Sequence, residues 1–299
     1  MSQHSNCRLC GGESFPREGN IRTNKKIEAN QILECINCSF VFLNDDSHIS
    51  DLHYEQSLMH DSNQTLEESR NNTNEDDLRR FEMLATEVKD KNLLEVGVGN
   101  AGFLRLAQIS TNAAYGVEPE KKHHENFKQE NLNIYSSLNS FKETKVAIDV
   151  IVSFHVIEHV KNPIIFLFEL LGFLRKDGKL FIETPNSNDA LIKLYESSAF
   201  KNFTYWDNHL VLFNYKSFEY MLCKIQGIKY KSIPIQRYGI ANHLYWLSVG
   251  KPGGHKYWAS LETERIKSEY RNQLYGLQMN DTLFYEIIKI DDECKIDTQ

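Results

Sequence analysis

The chain has 299 residues, 41% hydrophobic and 25% charged, the composition of an ordinary globular protein that can bury a full core as one large domain or two small ones. A formal net charge of −7 argues against a general nucleic-acid binder, which needs a basic face, though it leaves room for a local basic patch. No apolar run reaches membrane-spanning length, and the polar start Met1–Asn6 has no signal-peptide core, so the chain is expected to be cytoplasmic with no membrane span.

Residues 1–43 read as a small metal-held module. Four of the six cysteines fall into two C-x2-C pairs, Cys7/Cys10 and Cys35/Cys38. Such pairs in a cytoplasmic chain point to metal rather than disulfide, and four thiolates suit tetrahedral zinc. Full thiolate coordination leaves no open position, so the expected role is structural. The competing reading is two chance pairs of small buried side chains. Arg8, Arg17, Arg22, Lys25 and Lys26 make the module locally basic. Cys223 and Cys294 stand alone and read as core and tail residues.

Residues 44–90 read as linker and lid helices. The polar stretch 44–76 suits a connection or a lid, and 53–60 is either a segment closing over a ligand or a solvated linker. Leu78, Phe81, Leu84, Ala85 and Val88 recur at helical spacing, which predicts a helix over 76–90.

From 91 to 250 strand and helix patterns alternate. Strands are expected at Leu93–Val96, Ala113–Val117, Ile134–Ser136, Ile148–Ser153, Lys179–Glu183, Ile228–Ile235 and His243–Val249. Helices are expected at Gly102–Ile109, Lys121–Gln129, Pro163–Phe173 and Ser217–Gln226. This alternation predicts an α/β fold, a Rossmann-like parallel sheet with helices on both faces. The remainder, 251–299, is charged and reads as a mostly helical tail.

The stretch 93–104 carries the strongest chemical signal. A buried strand ends in Glu95, and Gly97, Gly99 and Gly102 follow before a helix begins. Glycines there permit a sharp turn and close approach of a ligand to the backbone. The pattern satisfies the dinucleotide fingerprint, and Glu118, 19 residues beyond Gly99, sits where an acid can grip ribose hydroxyls. A nicotinamide-dependent oxidoreductase is therefore a rival reading. Against it stand the charged Glu95, able to accept hydrogen bonds from a cationic amino group, the preceding cysteine module, and the His155-Val156-Ile157-Glu158-His159-Val160 segment after the fourth strand.

Taken together, Glu95-x-Gly97-x-Gly99, Glu118, Asp149–Val152 before His155–Val160, and Leu174–Leu180 resemble class I S-adenosylmethionine-dependent methyltransferases over about residues 91–190. The resemblance implies that Glu95, Gly97 and Gly99 surround the methionine part of the donor. It places Glu118, with Pro119 after it, at the ribose, Ser137 and Leu138 at the adenine, and Phe154 and His155 along the donor. Ala101 departs from the pattern, since many members carry glycine there. The N-terminal cysteine module, with His209–Phe213 and the Ser217-Phe218 segment, is similar to sugar methyltransferases of natural-product and surface-polysaccharide pathways. That similarity implies a small-molecule or glycan acceptor, either a nucleotide-linked sugar or a surface glycan.

An oxygen or carbon acceptor needs a base, and His209 is the favoured candidate. It follows the aromatic group Phe200, Phe203, Tyr205 and Trp206, and imidazole accepts a proton near neutrality. The alternative is a packed or backbone-bonded histidine. His155 is the next candidate; His155 and His159, four apart, would share a helical face with Glu158 pointing elsewhere. A zinc pair there lacks an evident third ligand, and the alternative is one histidine near the donor and one structural. Tyr205, Trp206 and Trp246 suit sugar stacking or plain core, and His243 and Tyr245 are further acceptor-side candidates. With no Asp/Asn cluster of the magnesium kind, metal-independent chemistry is expected. The alternatives are an RNA or protein methyltransferase that recognises its substrate through the cysteine module, and a non-enzymatic docking module.

Overall fold

Leu93, Leu94, Val150, Ile151, Val152, Leu180, Phe181 and Ile182 are almost solvent-free, so the apolar runs of the sequence form the middle of a sheet covered on both faces. The computed structural model describes residues 5–23, 31–49 and 64–297; the proposed closing segment 53–60 lies outside the described residues. The main sheet has seven strands: β1 Asn92–Val96, β2 Ala113–Val117, β3 Asn133–Tyr135, β4 Ile148–Phe154, β5 Leu174–Pro185, β6 Ile228–Ser232 and β7 Thr282–Lys289. Their spatial order is β6-β7-β5-β4-β1-β2-β3. The run β3-β2-β1-β4-β5 is parallel, and β7 lies antiparallel between β5 and β6.

Side-chain alternation along the strands divides the core into two layers. One layer joins Leu94, Ile151, Leu180, Ile182 and Tyr285 to the helices α3 (Pro163–Phe173) and α4 (Tyr215–Cys223), through Leu167, Leu170, Leu171, Phe218, Met221 and Leu222. The other joins Leu93, Val150, Val152, Phe181 and Phe284 to α1 (Leu66–Val88) and α2 (Gly102–Ala107). The rings of Phe218 and Tyr285 stack at 4.4 Å, tying α4 to β7.

Three sequence expectations are corrected. His243–Val249 is not a strand but most of helix α5, Ile240–Val249, which buries Ala241, Asn242, His243 and Trp246 and ends at the left-handed Gly250 (φ 69°). Asn242 and His243 lie four and three residues before Trp246, a helical spacing, and the glycine is an ordinary helix stop. The region 251–299 is helical only in part. Glu264–Gly276 is a helix, but Thr282–Lys289 supplies the buried strand β7. α1 starts ten residues before the predicted 76, because Thr65 and Glu68 form a reciprocal capping box. Its buried side carries Leu84 and Val88 in the last turns but the polar Ser69, Asp77 and Arg80 before them, so the hydrophobic period fades toward its start.

The cysteine module is a small antiparallel sheet built from Ser5–Asn6, Glu13–Pro16, Ile32–Cys35 and Val41–Leu43. Its fifth strand, Val211–Leu212, comes from the segment after β5, pairing Val211 with Phe42 and Leu212 with Val41. A parallel bridge between Arg22 and Trp206, with Arg22 N donating to the Tyr205 carbonyl and Asp207 N to the Arg22 carbonyl, binds the same segment again. The module thereby fixes the 205–212 stretch, which carries His209.

Candidate active site

β1 is flanked by β2 and β4, so the carboxyl end of β1 is the point where the order of the parallel strands reverses. Ligands of open α/β sheets bind at that crevice. Gly97 (φ 79°) and Gly99 (φ 54°) both take left-handed backbone as the chain leaves β1. A Cβ on Gly97 would lie 2.3 Å from a Val156 methyl, whereas one on Gly99 would meet nothing within 4 Å and would project into open space. Ala101 is also left-handed (φ 58°, ψ 29°) and caps α2, a conformation that glycine adopts without the strain of a Cβ. A Cβ on Gly102 would lie 2.1 Å from an Asp77 oxygen, so this glycine lets α1 close on α2.

Glu95 is buried, and its Oε2 has no hydrogen-bond partner. Burial, reinforced by Asp77, pushes its carboxyl well above the usual range. A lone buried acid of this kind is costly unless a ligand donor or cation completes it. Glu118, at the end of β2, spans the turn: its Oε2 accepts from Gly99 N at 2.8 Å and its Oε1 from Glu120 N at 2.9 Å. Pro119 follows it at the same sheet edge. Ser137 caps the short helix Leu138–Lys142 after β3, on the same side as Glu118. Phe154 ends β4 and packs edge-on against Phe103, with the Arg80 guanidinium 4.6 Å from its ring centre.

His155 departs from the expected helical turn. It is left-handed (φ 56°), and only Ile157–His159 forms a 3-10 turn. His155 and His159 therefore serve different groups. His155 Nε2 lies 3.2 Å from Glu183 and its Nδ1 3.1 Å from Glu158, so Glu158 points at His155, not elsewhere. Burial lowers the His155 pKa, but the two carboxylates outweigh it and the net shift is upward. The two carboxylates thus favour the protonated ring. Glu158 is raised by burial, yet His155 brings it down to about 2.

Glu183, at the end of β5, is the centre of a network that sequence reasoning missed. It accepts from Arg79 Nη2 at 2.9 Å and Arg80 Nη2 at 2.8 Å while fully buried. Arg79 also pairs with Asp76 at 3.2 Å, and Asp76 pairs with Arg237. The available signal was a charged residue closing the apolar run Leu180-Phe181-Ile182.

A cavity of about 350 Å³ opens beside His155, between the 185–209 segment and residues 237–255. Phe200, Phe203, Trp206 and Trp246 supply its aromatic walls, and Asn186, Asn242, Arg237 and Asp281 its polar groups. His209 lines it, while Tyr205 is buried away from it and Tyr245 stacks on Tyr257 instead. His209 Nδ1 donates to the Thr204 carbonyl at 2.8 Å. Burial and the neighbouring His159 lower its pKa to about 4, so the ring is neutral at pH 7. His243 Nδ1 meets the Tyr270 hydroxyl at 2.6 Å, and burial likewise lowers its pKa to about 4.

The four module cysteines come together, with Cys7 and Cys38 sulfurs 3.6 Å apart and Cys10 and Cys35 sulfurs 3.4 Å apart. Tetrahedral zinc at about 2.3 Å from each sulfur requires roughly 3.8 Å between sulfurs. Each pair sits on a matching turn. Gly11 N bonds to the Cys7 carbonyl and Ser39 N to the Cys35 carbonyl, and both Gly11 and Ser39 are left-handed. The cluster is compatible with structural zinc. No helix among the described residues is long and apolar enough to cross a membrane.

Residues 66–225 match the family model described as a methyltransferase domain. No curated protein matches this chain. Among solved structures, the plantazolicin methyltransferase BamL, in complex with a triazolic desmethylPZN analog and SAH, is 14% identical, with 80% of this chain and 94% of that one covered at a TM-score of 0.48. A SAM-dependent methyltransferase from Archaeoglobus fulgidus is 17% identical, with 75% and 94% covered and a TM-score of 0.44. Coclaurine N-methyltransferase, bound to N-methylheliamine and SAH, is 14% identical, with 77% and 74% covered and a TM-score of 0.43. The family match spans more than half of the 299 residues and falls on the glycine turn, Glu118 and the β4 edge; the chain belongs to the class I S-adenosylmethionine-dependent methyltransferases.

Proposed function

We propose that this methyltransferase acts on a sugar, nucleotide-linked or within a surface glycan, bound in the cavity beside His155. The observation that carries the reading is the character of that cavity: the aromatic side chains Phe200, Phe203, Trp206, Tyr238 and Trp246 share one space of about 350 Å³ with amide, carboxylate and guanidinium groups. Aromatic faces pack on the C–H faces of a pyranose, and polar groups between them select its hydroxyls.

S-adenosylmethionine supplies an electrophilic methyl group on a sulfonium centre. Glu95, Gly97 and Gly99 would hold its methionine part, Glu118 its ribose, and Ser137 and Leu138 its adenine. The orphaned Glu95 oxygen and the open space over Gly99 fit such a ligand. His155 lines the cavity and follows Phe154 at the end of β4, so the two residues would align donor and acceptor and keep water from the line between them. The acceptor proton leaves at the His209 edge, where Nδ1 is committed to Thr204 and the other ring nitrogen serves the cavity. Cys7, Cys10, Cys35 and Cys38 hold structural zinc.

The direct test is release of S-adenosylhomocysteine with a panel of nucleotide-linked sugars, short glycans, peptides and RNA. Turnover confined to peptides or RNA would overturn the sugar reading. His209→Ala is expected to lower kcat by roughly 100-fold or more, in the range of a lost acid–base group, with S-adenosylmethionine affinity in calorimetry within about threefold. Unchanged kcat would move proton removal away from this edge.

Cys35→Ser is expected to lose one equivalent of zinc per chain and to loosen the 205–212 segment, because that segment is the fifth strand of the module's sheet. Metal analysis and limited proteolysis read the two effects. Full zinc retention would leave the cluster a set of packed thiols.

A further inference from the structure

We propose that Glu158, His159 and His209 form a second metal site, for a divalent ion of zinc's donor preferences, at the inner end of the cavity. This inference rests on the methyl-transfer reading of that cavity and replaces both the metal-independent chemistry expected from sequence and the base role of His209: with an ion bound, His209 Nε2 would be its ligand, and the ion would ease proton loss from an acceptor oxygen at its open position. The ligand atoms of the three residues lie within 4.8 Å of one another. They come from separate parts of the chain: 158 and 159 from the turn after β4, and 209 from the segment that the cysteine module pins.

The hydrogen bonds give the two rings the arrangement of metal-bound imidazoles. His159 Nδ1 lies 2.8 Å from the Asn208 carbonyl and His209 Nδ1 2.8 Å from the Thr204 carbonyl. A carbonyl only accepts, so Nδ1 carries the proton in each ring and Nε2 is the nitrogen that presents a lone pair. Ligating histidines show this pattern, with the non-ligating nitrogen donating to a carbonyl that fixes tautomer and ring angle. The two rings are 5.1 Å apart, centre to centre, and tilted by 56°. Parallel stacked rings would direct their nitrogens side by side; tilted rings let them converge.

Glu158 adds a buried carboxylate oriented from both sides. Thr184 Oγ1 donates to its Oε2 at 3.0 Å, and His155 Nδ1 lies 3.1 Å from its Oε1. Each carboxylate oxygen keeps a second lone pair for an ion. Ligands at about 2.0–2.1 Å in a tetrahedron stand about 3.4 Å apart, so side-chain rotation of about 1 Å closes the set. Two histidines and one glutamate leave a fourth position, the pattern of catalytic rather than structural zinc. His209 lines the cavity, so that position opens toward an acceptor oxygen.

The test is metal content of the full chain after zinc saturation and desalting. Two zinc ions per chain are expected in the wild type, and one in His159→Ala and in His209→Ala with the cysteine site still filled. A wild type whose single ion is kept by His159→Ala and His209→Ala overturns the site, as do variants that keep two. Cobalt titration of the unmutated protein gives a readout free of folding defects. The second equivalent is expected to add visible d–d bands without thiolate charge-transfer absorption, and its absence sinks the proposal. Neither measurement uses acceptor, so failure here is separable from failure of the sugar reading, which the turnover panel decides.

Discussion

Replacing Glu183 by alanine is expected to lower the melting temperature by on the order of 10 °C and to weaken donor binding at the same time. Glu183 is fully buried and receives Arg79, Arg80 and the His155 ring. Removing one partner of a buried ion pair leaves the other charge uncompensated, at a cost of about 3–5 kcal/mol, and about 1 kcal/mol corresponds to roughly 2–4 °C in a protein of this size class. Arg80 suffers most, since it is itself 8% exposed and its remaining acidic neighbour, Asp77, is 3.5 Å away. The double replacement Glu183→Leu with Arg80→Met is expected to recover much of the loss, because an apolar pair of similar volume removes both desolvation costs. Calorimetry or a thermal melt followed by circular dichroism decides it; a single variant melting within about 2 °C of wild type would show that the network contributes little.

The same group sets a pH dependence. Burial alone would raise the Glu183 carboxyl, but Arg80 and His155 outweigh it and hold it well below the carboxylate range. A depressed folded-state pKa means that this stabilisation is complete above the unfolded value, about 4.3, and is lost as pH falls through the folded one. The wild type is therefore expected to lose more stability between neutral and acid pH than Glu183→Ala. Parallel acid profiles would contradict that assignment.

The sheet was legible because its apolar runs and glycines are local signals. Leu93–Val96, Ala113–Val117 and Pro163–Phe173 appear where periodicity places them, and the glycine turn after β1 lies at the switch point. What escaped was of two kinds. β7 reads as apolar and β-branched, yet it sits 50 residues after the preceding strand, and nothing local says that a distant tail inserts between β5 and β6. The first turns of α1 bury the polar Ser69 and Asp77 and only its later turns bury Leu84 and Val88, so hydrophobic spacing underestimates the helix by ten residues; Arg79 and Arg80 fall inside the predicted helix, but spacing says nothing of their partner Glu183. The histidine geometry failed for a backbone reason. A left-handed His155 breaks the helical turn, sending His155 to Glu183 and His159 to the Asn208 carbonyl. A four-residue spacing puts two side chains on one face only while the helix is continuous.

Gly99→Ala is expected to leave the fold intact and to abolish measurable donor binding, a loss on the order of 100-fold or more. Its left-handed backbone (φ 54°) makes a Cβ cost about 1 kcal/mol, a small part of the stability of a domain this large. The added methyl meets no protein atom within 4 Å, so the apo structure has no reason to rearrange. The space it occupies lies over the turn whose backbone Glu118 holds, where the donor must approach closely. Displacing a ligand by about 1 Å is enough to cost about 100-fold in a positioned reaction. Gly97→Ala is the necessary contrast. Its Cβ would fall 2.3 Å from Val156, so it strains the protein itself and moves the segment that carries His155. Calorimetric titration with S-adenosylmethionine beside a thermal melt separates the two. Gly99→Ala should melt within a few degrees of wild type and bind nothing, while Gly97→Ala should lose both stability and binding. A Gly99→Ala variant that binds with wild-type affinity would remove the donor from this turn.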